Sequence, residues 1–202
     1  MVIAARIEQL IRAVETAGPV QVVAIDIPLG LPDTSARRAD LLARHRVGPR
    51  WPSVFLTPTR AALLAGSHAE ASAINRGRTG AGISAQAYGL RTKLLDVDEW
   101  ITTTTQRVVE VHPEVSFAAL AGAPMTDSKH SWAGATHRRR LLAAAGITLA
   151  DDLGPAGGAG IDDILDAAIA AWTAHRVANG QAEHIPDPPE TFSDGHPAAI
   201  WI

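Results

Sequence analysis

The chain has 202 residues and a mass of 21.2 kDa, with 47% hydrophobic and 19% charged residues, enough to bury one sizeable core and too apolar for disorder. It contains no cysteine, which excludes disulfides, thiolate zinc sites and cysteine nucleophiles together. A net charge of −3 excludes a global basic field for nucleic acid, and no apolar run approaches the ~18 residues of a membrane span. Residues 1–8 carry charges inside their apolar stretch and do not read as a secretory leader, so a cytoplasmic protein is expected.

Ile3, Ile7, Leu10, Ile11 and Val14 fall at helical spacing, and Gly18-Pro19 stops that helix. Residues 20–27 form a continuous apolar run rich in β-branched side chains, which predicts a strand buried on both faces. Residues 35–46 predict a polar helix with Leu41 and Leu42 inward, and residues 48–58, with three prolines, an extended loop. Short helices follow at 59–65 and 68–75, then a glycine-rich loop at 77–82 and a long amphipathic helical run from Ile83 to Val97. A short strand at 107–111 ends at His112-Pro113 and turns into helix over 115–120. Residues 134–145 are helical, 151–160 form a Gly/Pro/Ala linker, and 161–177 form a long apolar helix opening with acids. The segment 184–202 is a proline-rich extended tail whose end, Ile200-Trp201-Ile202, is a last strand or a docked terminus. Few strands with long helical connections predict a single α/β domain over 1–202.

Three constellations carry chemistry. Asp26 lies at the end of an apolar strand closed by Pro28, where an ionised carboxylate needs a partner and where α/β sheets bind ligands. In Val109-Glu110-Val111-His112-Pro113-Glu114, strand alternation puts Glu110 and His112 on one face, and Glu114 enters the next helix. His112 reads as a satisfied core histidine. On the last helix, Asp162 and Asp166 project from one face with Asp163 at their edge. Capping accounts for one or two of these acids but not for Asp166, which sits among Ile164, Leu165 and Ala167. Like charges at i and i+4 need a positive partner, and hard oxygen ligands suit Mg²⁺ or Mn²⁺. These acids outline a metal-dependent phosphoryl-transfer site.

With these residues in view, the chain resembles a family of predicted RNase H-like nucleases, domain of unknown function 429. The matching stretches are Ile25-Asp26-Ile27-Pro28 with Gly30-Leu31-Pro32, Arg37 with Asp40, Arg44 and Gly48, Ser53-Val54-Phe55, Gly82-Ile83-Ser84, the Glu110–Glu114 block, Ser128-Lys129, and Asp162-Asp163 with Leu165-Asp166-Ala167. The resemblance implies an RNase H-like fold, divalent metal dependence and nuclease-type chemistry, with no known substrate. RNase H-like domains open with a three-stranded meander whose first strand carries the principal metal-bridging aspartate. This chain opens in the helix that follows it, so an N-terminally reduced mixed sheet covered by helices is expected.

The leading expectation is a metal-dependent nuclease or phosphodiesterase with Asp26, Glu110, Glu114, Asp163 and Asp166 catalytic. Asp26, Glu114, Asp162, Asp163 and Asp166 are the expected ligands of Mg²⁺ or Mn²⁺. Arg37, Arg44, Arg50, Arg60 and Lys129 would bind the substrate, a nucleic acid or phosphorylated small molecule. Lys93 and Lys129 are the only lysines, so arginine is the default surface cation, and Arg138-Arg139-Arg140 reads as a solvated face. The alternatives are a non-catalytic binding or assembly module without the first aspartate, and a small-molecule phosphotransferase using residues 77–82 to cradle phosphate. A first strand without its neighbour leaves an open edge next to apolar surface. A homodimer is therefore expected, the alternative being a monomer whose tail folds back over that edge.

Overall fold

The structure, a computed structural model, describes residues 1–202. Helix α1 (Ile7–Glu15) starts after an extended Arg6 and ends ahead of Gly18-Pro19, yet none of its residues is buried. Strand β1 (Val22–Ile25) is shorter than its apolar run suggests, and only Val23 is buried along it. Burial on both faces is not realised here, because one side of β1 opens into a groove.

A long crossover carries α2 (Arg38–Arg46), a 3₁₀ turn (Gly48–Ser53), α3 (Arg60–Leu63), α4 (His68–Thr79), α5 (Ala85–Gly89) and α6 (Arg91–Ile101) before strand β2 (Arg107–Val111). In α2 the buried residues are Ala39, Asp40 and Ala43, while Leu41 and Leu42, expected inward, are exposed. Small alanines let the helix approach the sheet closely, and Asp40 turns inward to meet Arg37. Gly77 lies inside α4, and Gly80 ends that helix at φ 78°. Residues 77–82 are thus largely a glycine-stopped helix end, where a glycine-rich loop was expected. The amphipathic run from Ile83 breaks at Gly89 into two helices. After β2 come α7 (Pro113–Ala121), α8 (Trp132–Ala144), a second 3₁₀ turn (Gly154–Gly158) and α9 (Ile161–Ala178).

The segment 184–202 is not an appended tail but two strands, β3 (His184–Thr191) and β4 (Pro197–Trp201). The sheet order is β1-β2-β4-β3, with β1∥β2 and β2∥β4 parallel and β3 antiparallel to β4. Ala198, Ala199 and Ile200 are all buried, as a central strand requires. The prolines of β3 cannot donate to a ladder, which confines it to the edge and accompanies a register irregularity between Ile185 and Glu190.

Helix α9 covers one face, packing Ala170 and Val177 on Val109 and Val111. The other face holds Ala39, Ala43, Val115 and Ile200 under α2 and α7. Phe117, Leu142, Leu165 and Ile169 join α7, α8 and α9 in a further core. The result is an α/β fold, a mixed four-stranded sheet covered by helices. No helix is long and apolar enough to cross a membrane.

Candidate functional site

Asp26 directly follows β1, at the carboxyl end of a parallel pair, and Pro28 prevents the ladder from continuing. The chain turns at Gly30 with φ 74°, where a Cβ would lie 2.7 Å from that of Ala198. Only glycine lets this loop pass over the start of β4. The first turns of α9 deliver Asp163 and Asp166 to the same end of the sheet. A cleft of about 310 Å³ there is lined by Asp26, Asp40, Glu110, His112, Glu114, Lys93, Lys129, Asp163 and Asp166. A second cavity of about 300 Å³ near α8 and α9, lined by Leu149, Leu153, Ile161 and Leu165 among others, is mostly apolar and gathers no acids beyond Asp151.

Lys129 is the cation that the i, i+4 acids of α9 require. Its Nζ donates to Asp166 Oδ2 at 2.5 Å and lies 3.7 Å from Asp162 Oδ2. The loop that presents it is held tightly: Ser131 Oγ donates to the Ser128 carbonyl at 2.8 Å and accepts from Gly134 N–H at 3.1 Å. A Cβ on Gly134 would sit 2.0 Å from that Ser128 oxygen, so the approach of α8 to the lysine loop requires glycine.

Asp26 is exposed to solvent, yet the protein around its carboxyl desolvates it enough to push its pKa up to about 6 against the pull of Lys129. Asp166 is likewise raised to about 6, by burial first and by Asp26 and Glu114 in smaller measure, with Lys129 opposing. Its Oδ1 is buried and has no hydrogen-bond partner. Burial also lowers the His112 pKa, and its Nδ1 is unpartnered. Both aspartates bind a proton more tightly in the folded chain than in the unfolded one. Their contribution to stability is therefore full below about pH 4 and is lost as pH rises through about 6. Thermal unfolding in chelator should show the wild type gaining stability relative to Asp166→Asn between pH 8 and pH 5, by roughly 1.4 kcal/mol. An unchanged difference across that range would contradict the shift.

Two of the expected catalytic acids are already taken. Glu110 is clamped by Arg37, whose Nη1 and Nη2 donate to its carboxylate at 2.9 and 2.5 Å, and it accepts from Leu29 N–H at 2.8 Å. Arg37 also donates to Asp40 Oδ1 and the Leu29 carbonyl and is fully buried, so it is a structural cation and not a substrate ligand. Burial pushes Glu110 up to about 7 against that attraction. Glu114 accepts two 2.9 Å bonds from Arg138 Nη2, and Arg138 Nη1 donates to the Asp127 carbonyl, tying α7 to the lysine loop.

The remaining expected arginines also lie away from the cleft lining. Arg44 bonds the Val54 carbonyl and stacks on Trp51. Arg60 forms a fork with Asp98 at 2.6 and 2.8 Å and reaches Asp194. Arg50 is half-buried in the first 3₁₀ turn. Asp162 pairs with Lys129 and does not line the cleft. No three acidic or histidine side chains converge closely enough to form a metal cage by themselves.

Sequence reasoning passed over Lys93 and Arg138. Their signals were present: Lys93 is one of only two lysines, and both line this cleft. Arg138 shares a helical face with Ala135 and Leu142, all three buried, so the arginine run was not uniformly solvated.

Comparison with curated proteins returned no match, and comparison with solved structures returned none. A family model described as "Protein of unknown function (DUF429)" matches residues 2–191, and with nearly the whole chain covered the protein belongs to that family.

Proposed function

We propose that this protein is a metal-dependent phosphodiester hydrolase of RNase H-like type. The observation that carries the reading is the meeting of Asp26 and Asp166 in one cleft, with a lysine beside them and a buried Asp166 oxygen left without a donor. An orphaned carboxylate oxygen next to a second carboxylate fits a hard divalent cation, Mg²⁺ or Mn²⁺, which commonly takes one or two protein carboxylates plus substrate phosphate. Asp26 and Asp166 would hold it, with Asp163 at the rim. Bound there, it would act as a Lewis acid toward the phosphoryl group.

The chain's own residues supply the rest. Lys93 makes no ion pair and stands on the cleft wall as a free cation for a phosphate oxygen. Lys129 is shared between the α9 acids and the cleft, which keeps it charged and aimed inward. Glu114 is neutralised by Arg138, and Glu110 shares the Arg37 guanidinium with Asp40, so these three acids of the wall carry two buried cations between them.

That neutralisation favours a second reading, a binding module that keeps the pocket without a full ligand set. Calorimetric titration with Mn²⁺, followed by release of acid-soluble nucleotides from single-stranded and duplex polynucleotides, separates the two. The hydrolase reading expects saturable binding, lost in Asp26→Asn, and metal-dependent release. Binding of neither metal nor polynucleotide would remove both readings, and polynucleotide binding without release would select the module.

A further inference from the structure

Tryptophan is largely buried on average in folded chains, and this protein covers its other indoles. Trp51, Trp172 and Trp201 each carry an arginine over the ring, at 5.4, 4.8 and 5.4 Å, and Trp100 is half-buried. Trp132 is 83% exposed, with no arginine or second ring upon it. It is the first residue of α8 and follows Lys129 by three positions. Lys129 lines the acidic cleft and donates to Asp166, so the bare indole stands at the rim of that cleft.

The ring has a fixed mount. The Ser128 carbonyl accepts from the N–H and the Oγ of Ser131, at 3.0 and 2.8 Å, and Ser131 Oγ in turn accepts from Gly134 N–H. These bonds tie the chain on both sides of Trp132, and the close approach of Gly134 to Ser128 leaves the lysine and the indole no room to drift apart. Three residues of chain reach at most ~10 Å, so ring and lysine serve a stretch of roughly three nucleotides. We infer that Trp132 is a stacking platform for an unpaired nucleobase, on a strand whose phosphates lie at Lys129 and Lys93. An indole offers a flat face to any base, so the contact reads no sequence but demands a base free of its own stack. Duplex bases are stacked on one another and present only their edges, so the platform selects single-stranded over duplex polynucleotide. With a net charge of −3, the chain has no broad basic field to hold a strand, and local contacts of this kind must supply the affinity. The inference rests on the phosphodiester reading of the cleft and adds to it a residue and the strandedness of the substrate.

Fluorescence anisotropy in Ca²⁺ with three labelled probes tests it: a short oligothymidylate, an abasic oligomer of equal length, and the oligothymidylate paired with its complement. Trp132→Ala should bind oligothymidylate roughly 10- to 100-fold more weakly than wild type, and Trp132→Phe should recover most of the loss. The abasic oligomer should bind wild type and Trp132→Ala alike, and wild type should prefer the single strand to the duplex. Melting temperatures should agree among the three proteins, since the side chain touches little of its own fold. Ring-dependent binding without hydrolysis supports the platform within the binding-module reading. Equal affinity of wild type and Trp132→Ala for oligothymidylate overturns the inference, and leaves the hydrolase reading standing where nucleotide release persists. An equal loss on the abasic oligomer, or tighter binding of the duplex, also overturns it. A wild type that neither binds oligonucleotide nor releases nucleotides removes both.

Discussion

Arg37→Met is expected to destabilise the protein by about 3–5 kcal/mol in urea denaturation, the cost of breaking a buried ion network from one side. The guanidinium is fully buried and makes five hydrogen bonds: two to Glu110, two to Asp40 and one to the Leu29 carbonyl. Without it, Glu110 keeps only the Leu29 N–H, and Asp40 keeps only the Thr57 N–H at 2.7 Å. Two buried carboxylates then face each other without a cation. Lysine is no substitute, because one ammonium cannot reproduce the forked geometry. Adding Glu110→Gln and Asp40→Asn to the methionine variant should recover a large part of the loss, since the penalty lies in the unpaired charges and not in the missing pair. A single variant that loses less than about 1 kcal/mol would show that the network is not holding the site loop.

Asp166→Asn is expected to lower the proposed hydrolysis by roughly 100-fold or more while leaving the fold intact. Asparagine keeps the side chain's shape but removes the charge that draws Lys129 inward at 2.5 Å and the anionic oxygen that has no other partner. Glu114→Gln serves as the contrast. Glu114 already spends its charge on Arg138, so its loss should appear chiefly as reduced stability. Steady-state rates with Mn²⁺, alongside melting temperatures, check both. Equal effects of the two substitutions on rate per folded molecule would remove Asp166 from its assigned role.

The order of strands and helices was legible in the chain because periodicity is local. Isoleucines and leucines at helical spacing mark α1, β-branched runs mark β1 and β2, and acids opening an apolar stretch mark α9. The same local physics placed Asp26 at a strand end and set Asp166 apart, since a carboxylate in an apolar run is costly wherever the chain goes. The C-terminal strands were only half legible: Ile200-Trp201-Ile202 read as a strand or a docked end, but the prolines of β3 hide an edge strand whose partner, β4, follows a turn later.

Only the tertiary structure decided which charge meets which. Arg37 joins Glu110 across 73 positions, Arg138 joins Glu114 across 24, and Lys129 joins Asp166 across 37. No spacing rule relates residues so far apart, and an arginine looks the same in sequence whether it faces water or a buried carboxylate. The sequence by itself determined that carboxylates would gather at one end of the sheet. Packing decided that Glu110 and Glu114 are clamped by buried guanidinium groups while Asp26 and one oxygen of Asp166 keep no such partner in the cleft, because burial makes each carboxylate take the nearest cation the fold can deliver.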